Sequence, residues 1–282
     1  MDTSKRGFIW RVFQNETYLP NSLASCELAL AGQLTDTAGT LLENLADPMA
    51  AAWAQDFGTK VGALYQFILS SDVGAFINLS QTEGTALGNF TGDQQMCGVP
   101  GTTASTDGID AEVITFVQLP AGVVTLTVVS DDSFRAQAGY INKPADGVLL
   151  YEVDGATANV TFRLFVQDAG VYPLRVIWQE GGGDAGLELS SVKADGTRVL
   201  LNDTDNGGFP CYYTGVAPDK ATGPITLAVT MSGANVEITW TDAAAALEES
   251  TNLKTWTAVA GATSPYRPVL SAAPAKFYRL RK

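Results

Sequence analysis

The central part of the chain, from about residue 61 to residue 201, consists of short apolar runs separated by turns rich in glycine, aspartate and proline. Within the run 161–166 (TFRLFV), apolar and polar side chains alternate, as in a strand with one buried face and one solvated face. Turns that recur about every ten residues are typical of an antiparallel sandwich or barrel. We therefore predict a mostly β fold, with strands at 7–13, 61–70, 111–119, 123–129, 147–153, 160–166, 171–178, 187–192 and 197–201.

The N-terminal region has a different pattern. After the first predicted strand, residues 22–32 and 40–57 are rich in alanine and leucine, and their apolar side chains recur at helical spacing. Ser22 is a typical N-cap residue, and Gly32 is a typical residue at which a helix ends. The pattern predicts two short helices between the first strand and the remaining strands.

The chain is long for one β-sandwich, because domains usually contain about 100–200 residues. Proline, glycine and aspartate cluster shortly after residue 214, as in a linker between domains. We therefore predict an antiparallel β-sandwich at 1–214, a linker at 215–224 and a small fibronectin type III-like β-module at 225–282. The polar segment 80–110 is predicted to be an inserted loop, and loops of that length are often functional.

Composition narrows the classes of function. The formal net charge is −13 at pH 7; residues 1–219 carry 10 basic and 26 acidic side chains, and residues 220–282 carry 7 and 4. An acidic surface repels phosphate backbones, so we do not expect a nucleic acid partner. The sequence contains no histidine, which excludes Ser-His-Asp triads and histidine-ligated zinc. We expect a binding or display protein rather than an enzyme.

Two further features concern location and redox state. No run of 18 apolar residues is present, so no membrane span is predicted, and the first residues lack the apolar stretch of a secretory signal. Cys97 and Cys211 both lie in turn sequence, which leaves open a disulfide between them. Cys26 lies in a predicted helix, where a small core residue is the expected role.

Two stretches carry a family resemblance: LTVVSDDSFRAQAGY at 126–140 and AGVYPLRVIWQEGGGDAGLELSSV at 169–192. They resemble the lectin-like domain family named after the bacterial protective antigen, which also occurs in yeast flocculins and in bacterial secreted glycosidases. The family's typical parts stand here in order over residues 7–205, namely Ser130-Asp131-Asp132, Tyr172-Pro173, the glycine loop 181–183 and the apolar strand 187–189. The resemblance implies a lectin-like β-sandwich.

The C-terminal stretch carries a second resemblance. Residues 247–253 (LEESTNL) with Trp256, and the ending 277–280 (FYRL), are similar to a small β-module that closes many secreted proteins of planctomycete- and verrucomicrobium-like bacteria. The resemblance implies an exported protein, located outside the cell or at the cell surface.

The first resemblance also implies a calcium site. In sugar-binding members of that family an Asp-Asp pair, often joined by a cis peptide bond, holds a calcium ion that coordinates two sugar hydroxyls. Asp131 and Asp132 occupy these positions, and hard carboxylate oxygens suit calcium. The asparagine of the family's second loop is missing here, where Glu180 and Asp184 are the available oxygen ligands. The remaining residues expected to contact a ligand are Ser133, Arg135, Gln179, Gly181 and Gly182.

Three alternatives stay open at this stage. Ser130-Asp131-Asp132 is also compatible with a β-turn whose side chains accept hydrogen bonds from local amides. A structural surface protein that self-assembles into a layer or filament is the alternative function, since an acidic body and a cationic tail suit contacts between copies. Glycoside hydrolysis needs two carboxyl groups about 5–9.5 Å apart across a cleft, and adjacent aspartates are poorly placed for it. The sequence thus favours calcium-dependent binding of a carbohydrate or cell-surface glycan, in a protein that is a possible homo-oligomer.

Overall fold

The computed structural model describes residues 2–17, 19–51, 53–70, 75–139, 147–214, 227–232, 235–240, 245–252, 255–268 and 276–281. The chain divides into two compact units, Met1–Ala217 and Pro218–Lys282. The division falls within the predicted linker, whose residues 215–224 lie outside the described ones. Among the described residues, no helix is long and apolar enough to cross a membrane.

The first unit is built mainly from strands. Its elements are β1 (Gly7–Gln14), α1 (Leu23–Leu30), β2 (Thr59–Val61), β3 (Leu64–Ser70), β4 (Asn78–Ser80), β5 (Gln94–Gln95), β6 (Ile109–Leu119), β7 (Gly122–Asp131), β8 (Ser133–Ala138), β9 (Val148–Val153), β10 (Ala158–Val166), β11 (Gly170–Glu180), β12 (Gly186–Val192), β13 (Arg198–Leu200), a 3-10 helix (Thr204–Asn206) and β14 (Cys211–Tyr212).

The strands form two sheets that pack as a β-sandwich. Within the described residues, sheet I has the order β2-β3-β1-β6-β11-β8-β9, with β14 beside β6, and sheet II has the order β10-β7-β12-β4-β5, with β13 beside β12. One hydrophobic core joins both inner faces: Trp10 and Trp178 come from sheet I, and Val128 and Leu189 come from sheet II. The predicted mostly β sandwich is therefore present.

Alternation along the strands explains which side chains enter this core. In β10, Phe162 and Val166 are buried, whereas Arg163 and Phe165 between them are exposed. Because successive side chains of a strand point to opposite faces, one face of β10 packs on the core and the other meets solvent. The strands predicted from such runs are present within a few residues of the predicted bounds. The sequence pattern missed β8, which directly follows the Asp-Asp pair.

The prediction of two helices is wrong for the second one. The first helix is present as α1, with Ser22 as its N-cap, whose hydroxyl accepts from the Ser25 amide at 3.2 Å. The described residues of 40–57 contain no helix. Asn44 instead bonds the backbone of β1, accepting from the Gln14 amide at 3.0 Å and donating to the Val12 carbonyl at 3.0 Å. Asparagine in this role competes with helix formation, and Pro48 shortly after it lacks the amide that a helix needs.

The cysteines do not form the disulfide that the sequence left open. Cys26, Cys97 and Cys211 are all buried free thiols. The Cys97 thiol donates to the Ala51 carbonyl at 3.0 Å, and the Cys26 thiol donates to the Trp178 carbonyl at 3.4 Å. Burial raises the pKa of the Cys97 thiol to about 12, so it stays protonated at neutral pH. All three therefore act as small core residues, as expected for Cys26.

The second unit contains two small sheets in its described residues. Its strands are β15 (Ala228–Ser232), β16 (Asn235–Thr239), β17 (Ala246–Ser250), β18 (Thr257–Ala258) and β19 (Phe277–Arg281). β15 pairs with β16, and β17 lies between β18 and β19. Ile238, Trp240 and Leu247 form its core, and the Arg279 guanidinium lies 4.4 Å from the ring centroid of Trp256. The unit is all β where it is described.

Candidate metal centre

Asp131, Asp132 and Glu180, here called the acidic centre, meet at one end of the sandwich. Asp131 ends β7 in sheet II, and the chain crosses at Asp132 to β8 in sheet I. β8 pairs with β11, in which Gln179 lies opposite Ser133 and Glu180 is the last residue. One carboxylate oxygen from each of the three acids lies within 4.8 Å of the others. Strand pairing thus brings together acids that are about 50 residues apart in sequence.

The main chain of the aspartate pair is firmly held. The Asp131–Asp132 peptide bond is cis, as the family resemblance implied. The Asp132 amide donates to the Gln179 carbonyl at 3.2 Å, and the Trp178 indole donates to the Asp131 carbonyl at 3.1 Å. The Ser130 hydroxyl donates to the Asp132 carbonyl at 2.6 Å. These bonds occupy backbone groups, which leaves the two carboxylates free to face Glu180.

Among the three acids, Glu180 has the environment that is least favourable for its negative charge. It is 1% exposed, and among the described residues neither of its carboxylate oxygens has a hydrogen-bond partner. Burial raises its pKa to about 8; the charges of Asp132, Asp131 and Asp107 add to this effect, and the nearby Gly182 amide opposes it. The pKa of Asp131 is also raised, first by burial and then by Asp132 and Asp184. Burial and mutual repulsion together disfavour the ionised forms.

The centre's donor set fits a hard divalent cation. All three side chains offer carboxylate oxygens, which calcium and magnesium prefer, and no thiol or imidazole belongs to the group. A cation between these acids would satisfy the unpaired oxygens of Glu180 and cancel the repulsion that raises its pKa. Gln179 presents a further buried oxygen, Oε1, without a partner among the described residues. Asp131, Asp132 and Glu180 are therefore the residues that would hold the ion.

The β-turn alternative accounts for little of this arrangement. In the described part of the chain, one backbone amide donates to either aspartate side chain: Gly181 N–H reaches Asp132 Oδ2 at 3.4 Å. That distance is beyond the usual range for an amide hydrogen bond. Local amides therefore leave most of the lone pairs of Asp131 and Asp132 without a protein partner.

Asp184 and Asp107 act on the acidic centre through their charges, but the group of close ligand atoms does not include them. Asp184 is exposed in the glycine loop and acts on the centre through its charge, which raises the pKa of Asp131. Asp107 accepts a hydrogen bond from the Gly183 amide at 3.3 Å, and the Gly108 amide donates to the Gly181 carbonyl at 3.0 Å. The end of the predicted long loop therefore braces the glycine loop, a role that the sequence did not reveal.

Ser133 and Arg135 are engaged in structural contacts. The Ser133 hydroxyl is buried; it donates to Asn21 Oδ1 at 2.9 Å and accepts from the Gly155 amide at 2.8 Å. The Arg135 guanidinium forms ion pairs with Glu152 at 2.7 Å and with Glu27 at 3.5 Å. Both side chains thus attach neighbouring segments to β8. Gly181 is buried, whereas Gly182 is exposed at the tip of the loop beside the centre.

Asp110 is a second buried acid that the sequence did not single out. It lies on β6 opposite Gln179 of β11, and its Oδ1 has no hydrogen-bond partner among the described residues. Burial raises its pKa to about 7, and a weak interaction with the Cys26 thiol opposes the shift. The group is therefore close to half protonated at neutral pH.

A contrasting cluster lies on the outer face of sheet I, beneath α1. Arg175 is 4% exposed and bonds Glu112 Oε2 at 2.6 Å and both oxygens of Glu27, at 2.9 and 3.0 Å. Arg11 bonds the other Glu112 oxygen at 2.9 Å. We call this cluster the arginine network; with the Arg135 pairs described above, its members are Arg11, Glu27, Glu112, Arg135, Glu152 and Arg175.

Residues 202–208 (NDTDNGG) contain two further aspartates in a turn that is closed by its own hydrogen bonds. Asp203 Oδ1 accepts from the Asn206 amide at 3.2 Å at the 3-10 helix, and Asp203 Oδ2 accepts from Asn206 Nδ2 at 2.9 Å. Within the described residues, the acidic centre is the one group whose ligand atoms lie close enough to hold a metal ion.

Comparisons with known proteins give distant structural similarity. No family model matches the chain, and no curated protein matches it. Among solved structures, the chain is similar to the PA14 domain of the MpAFP antifreeze protein, with 17% identity and a TM-score of 0.39 over 75% of this chain and 93% of that one. It is also similar to a PA14 sugar-binding domain from an RTX adhesin, with 13% identity and a TM-score of 0.42 over 74% of this chain and 99% of that one. The Epithelial Adhesin 6 A domain from Candida glabrata, in complex with Galβ1-3GlcNAc, shows 15% identity and a TM-score of 0.38 over 73% of this chain and 91% of that one. Because these TM-scores are below 0.5, we draw no conclusion about this chain from them.

Proposed function

We propose that this chain is a non-catalytic, calcium-dependent carbohydrate-binding or adhesion module of a secreted or cell-surface protein. The observation that carries the proposal is the acidic centre, in which three carboxylates meet within 4.8 Å and the buried Glu180 has no partner for either oxygen among the described residues. Such a group is destabilising unless a cation neutralises it. Oxygen-only ligands favour calcium over transition metals.

The three acids of the centre come from two parts of the chain, and each contributes a carboxylate to the proposed site. Asp131 and Asp132 present their carboxylates from a main chain that is held on both sides, and Glu180 adds a third from the end of β11. The asparagine of the resembled family's second loop is missing here; with Glu180 as its replacement, this centre would carry one more negative charge than that pattern. A bound calcium ion supplies positive charge and open coordination positions that suit a pair of sugar hydroxyls. Asp184 and Gly182 are exposed in the glycine loop that follows Glu180.

The first experiment measures metal binding directly. Calcium is titrated calorimetrically into the metal-free protein, and the titration is repeated with Asp131→Ala, Asp132→Ala and Glu180→Gln. We expect a binding heat in the parent and its loss, or an affinity at least about tenfold lower, in each variant, since each removes a charged ligand.

The matched control is Asp205→Asn, which removes one exposed carboxylate from the capped turn at 202–208. The control variant is expected to bind calcium as the parent does. Absence of any calcium heat in the parent, or equal heats in all variants, contradicts the proposal.

The second experiment tests the ligand class. A panel of galactose, glucose, mannose and N-acetylglucosamine, together with disaccharides that end in each of them, is titrated into the protein with calcium and with a chelator. We expect at least one sugar to bind with calcium and none to bind with the chelator. Equal sugar affinity with calcium and with the chelator would contradict calcium dependence.

A further inference from the structure

A groove opens beside the acidic centre on the outer side of sheet II. It has a volume of about 430 Å³, and Asp131 is its one residue from the centre. This volume lies within the range of about 300–1,000 Å³ that is typical of small-molecule sites. Val129 and Ser130 lead along β7 to Asp131, so the floor of the groove is continuous with the centre.

One wall of the groove comes from Leu87 and Gly88. They belong to the segment Leu87–Phe90, here called the groove loop, which is part of the long polar segment 80–110. Glu188 on β12 is 1% exposed, and its carboxylate accepts from the Asn89 amide at 2.7 Å, from Asn89 Nδ2 at 2.9 Å and from the Phe90 amide at 3.1 Å. A buried carboxylate with three donors holds the loop in one place. Gly88 has a φ of +99°, and a Cβ there would lie 2.7 Å from Glu188 Oε2, so this close approach requires glycine.

A second buried carboxylate closes the base of the same loop. Asp93 is 1% exposed, and its Oδ2 accepts from the Leu87 amide at 2.8 Å and from the Thr85 hydroxyl at 3.1 Å. The loop is thus fixed at both ends before any ligand arrives. Pre-ordering lowers the entropy that binding must overcome.

The opposite wall comes from the first residues of β10 and from Thr157, which precedes them. Thr157 and Asn159 are exposed there, and Asn159 Nδ2 reaches across to Asn89 Oδ1 at 3.3 Å. Among the described residues no group bonds the Thr157 hydroxyl or Asn159 Oδ1, so both can bond a ligand hydroxyl. The apolar part of the lining comes from Leu87, Val129, Ala158 and Leu187.

This lining has the chemistry of a sugar subsite. A pyranose ring presents hydroxyls at its edge and C–H groups on its faces, so it needs hydrogen-bonding groups and apolar surface side by side. The groove offers both within one volume, and it starts at an aspartate of the centre. A carbohydrate held at the centre would therefore extend its next ring into the groove.

Resting on the proposed function, we propose that the groove is a second sugar subsite, so that the ligand is an oligosaccharide of at least two rings, and that the groove loop and Asn159 determine its specificity. The first ring binds at the acidic centre, and the second lies between Leu87 and Asn159. In this proposal the long polar segment 80–110 contributes to the choice of sugar, because the groove loop is part of it.

The test compares monosaccharides with disaccharides in Asn159→Trp, which fills the groove with an indole ring. The probes are the four monosaccharides and the disaccharides named above, titrated with calcium present. We expect the best disaccharide to bind the parent about tenfold more tightly than its terminal monosaccharide. Asn159→Trp should remove that gain and leave monosaccharide affinity within about twofold.

The matched control is Arg163→Trp, at an exposed position four residues further along β10 on the same face and outside the groove. It should keep the disaccharide gain. Unchanged calcium affinity in both variants shows that the fold and the acidic centre are intact. Leu87→Ala provides a second variant that opens the wall without adding bulk, and it should also reduce the gain.

Three results overturn the inference. Equal affinity for monosaccharides and disaccharides in the parent, with no effect of Asn159→Trp, removes the second subsite and leaves the proposed function standing. An equal loss for both sugar sizes shows that the indole blocks the centre itself, which also removes the subsite. If no sugar binds in the presence of calcium, the proposed function and the second subsite fail together.

Discussion

The first unit contains two clusters of acidic side chains whose charges are compensated differently. In the arginine network, Glu112 and Glu27 both bond Arg175, and Arg11 completes the pairing of Glu112. In the acidic centre, none of the three acids forms an ion pair with any described residue. The same unit therefore contains one acidic cluster that is paired with arginines and one that has no cationic partner among the described residues.

The difference separates a cluster whose charges are paired within the fold from the cluster that supports the proposed cation site. Buried ions are tolerated when partners compensate for their lost hydration, as Arg175 does for Glu112. Glu180 has no such partner, and its pKa of about 8 reflects that deficit. A cation from solution is the compensating charge that fits carboxylate oxygens. Each prediction below changes the charge of one of these two clusters or of Asp110 or Asp184, which lie outside them.

The largest expected effect is in the arginine network. Arg175→Met should lower the free energy of unfolding by roughly 3–5 kcal/mol, because it removes the buried arginine that bonds Glu112 and Glu27 and leaves the buried Glu112 with Arg11 alone. Urea unfolding at neutral pH measures this loss. Arg163→Met, at an exposed position, is the control and should change stability by less than about 0.5 kcal/mol. Equal stabilities of the two variants would show that the network is not structural.

The next effect concerns the pH dependence caused by Asp110. Its folded pKa of about 7 is above the ordinary value of 3.8, so the folded protein retains a proton that the unfolded chain releases between these values. Its contribution to stability is therefore full below about pH 4 and is lost as pH rises through 7. Asp110→Asn removes this loss, so its stability relative to the parent should rise by roughly 2–4 kcal/mol between pH 4 and pH 8. Parallel stability curves for parent and variant would contradict the raised pKa.

A smaller effect is expected for Glu180→Gln, which should change the stability of the metal-free protein and its stabilisation by calcium in opposite directions. Glu180→Gln keeps the shape and removes the charge, so the metal-free variant should be more stable than the metal-free parent at pH 8 by about 1–2 kcal/mol. The raised pKa of Glu180 gives the same sign as for Asp110, since stability is lost as pH rises toward 8. The same variant should lose the stabilisation that calcium gives the parent. Thermal unfolding with chelator and with calcium provides both values.

The smallest effect is expected at Asp184. Because its side chain is exposed, Asp184→Asn should change stability by less than about 0.5 kcal/mol. Its charge still acts on Asp131, so calcium affinity should fall by about two- to fivefold at low salt and by less at high salt. A loss as large as that of Asp131→Ala would make Asp184 a direct ligand instead.

Much of the fold could be read from the sequence because alternation and turn residues are local signals. The strands around Phe162 and Val128 follow from them directly. β8 was missed because its sequence, SFRAQA, has one large apolar side chain, Phe134, with alanines at its other apolar positions. Its pairing with β11 and β9 comes from tertiary contacts. The second helix was wrongly predicted because the alanine and leucine pattern of 40–57 does not show that Asn44 bonds β1.

The candidate site was only partly predictable for a similar reason. The aspartate pair follows from the family resemblance, and Glu180 follows from its place after the Tyr-Pro strand. Asp107 and Asp110 were missed, although the run Asp107-Gly-Ile-Asp110 places two acids at the start of an apolar strand, which is a usable signal. Only the pairing of β6 with β11 shows that Asp110 lies opposite Gln179.

The position of Asp131 and Asp132 at the crossing between the sheets has a mechanical consequence. β7 is paired with β10 and β12 on its two sides, and β8 is paired with β11 and β9. If a ligand is bound at this crossing, a force applied to it along the strands is distributed over the backbone hydrogen bonds of all four strand pairs. Bonds perpendicular to the strands are then loaded in shear and together rather than one after another. Such an anchor resists tension better than one placed on a surface loop.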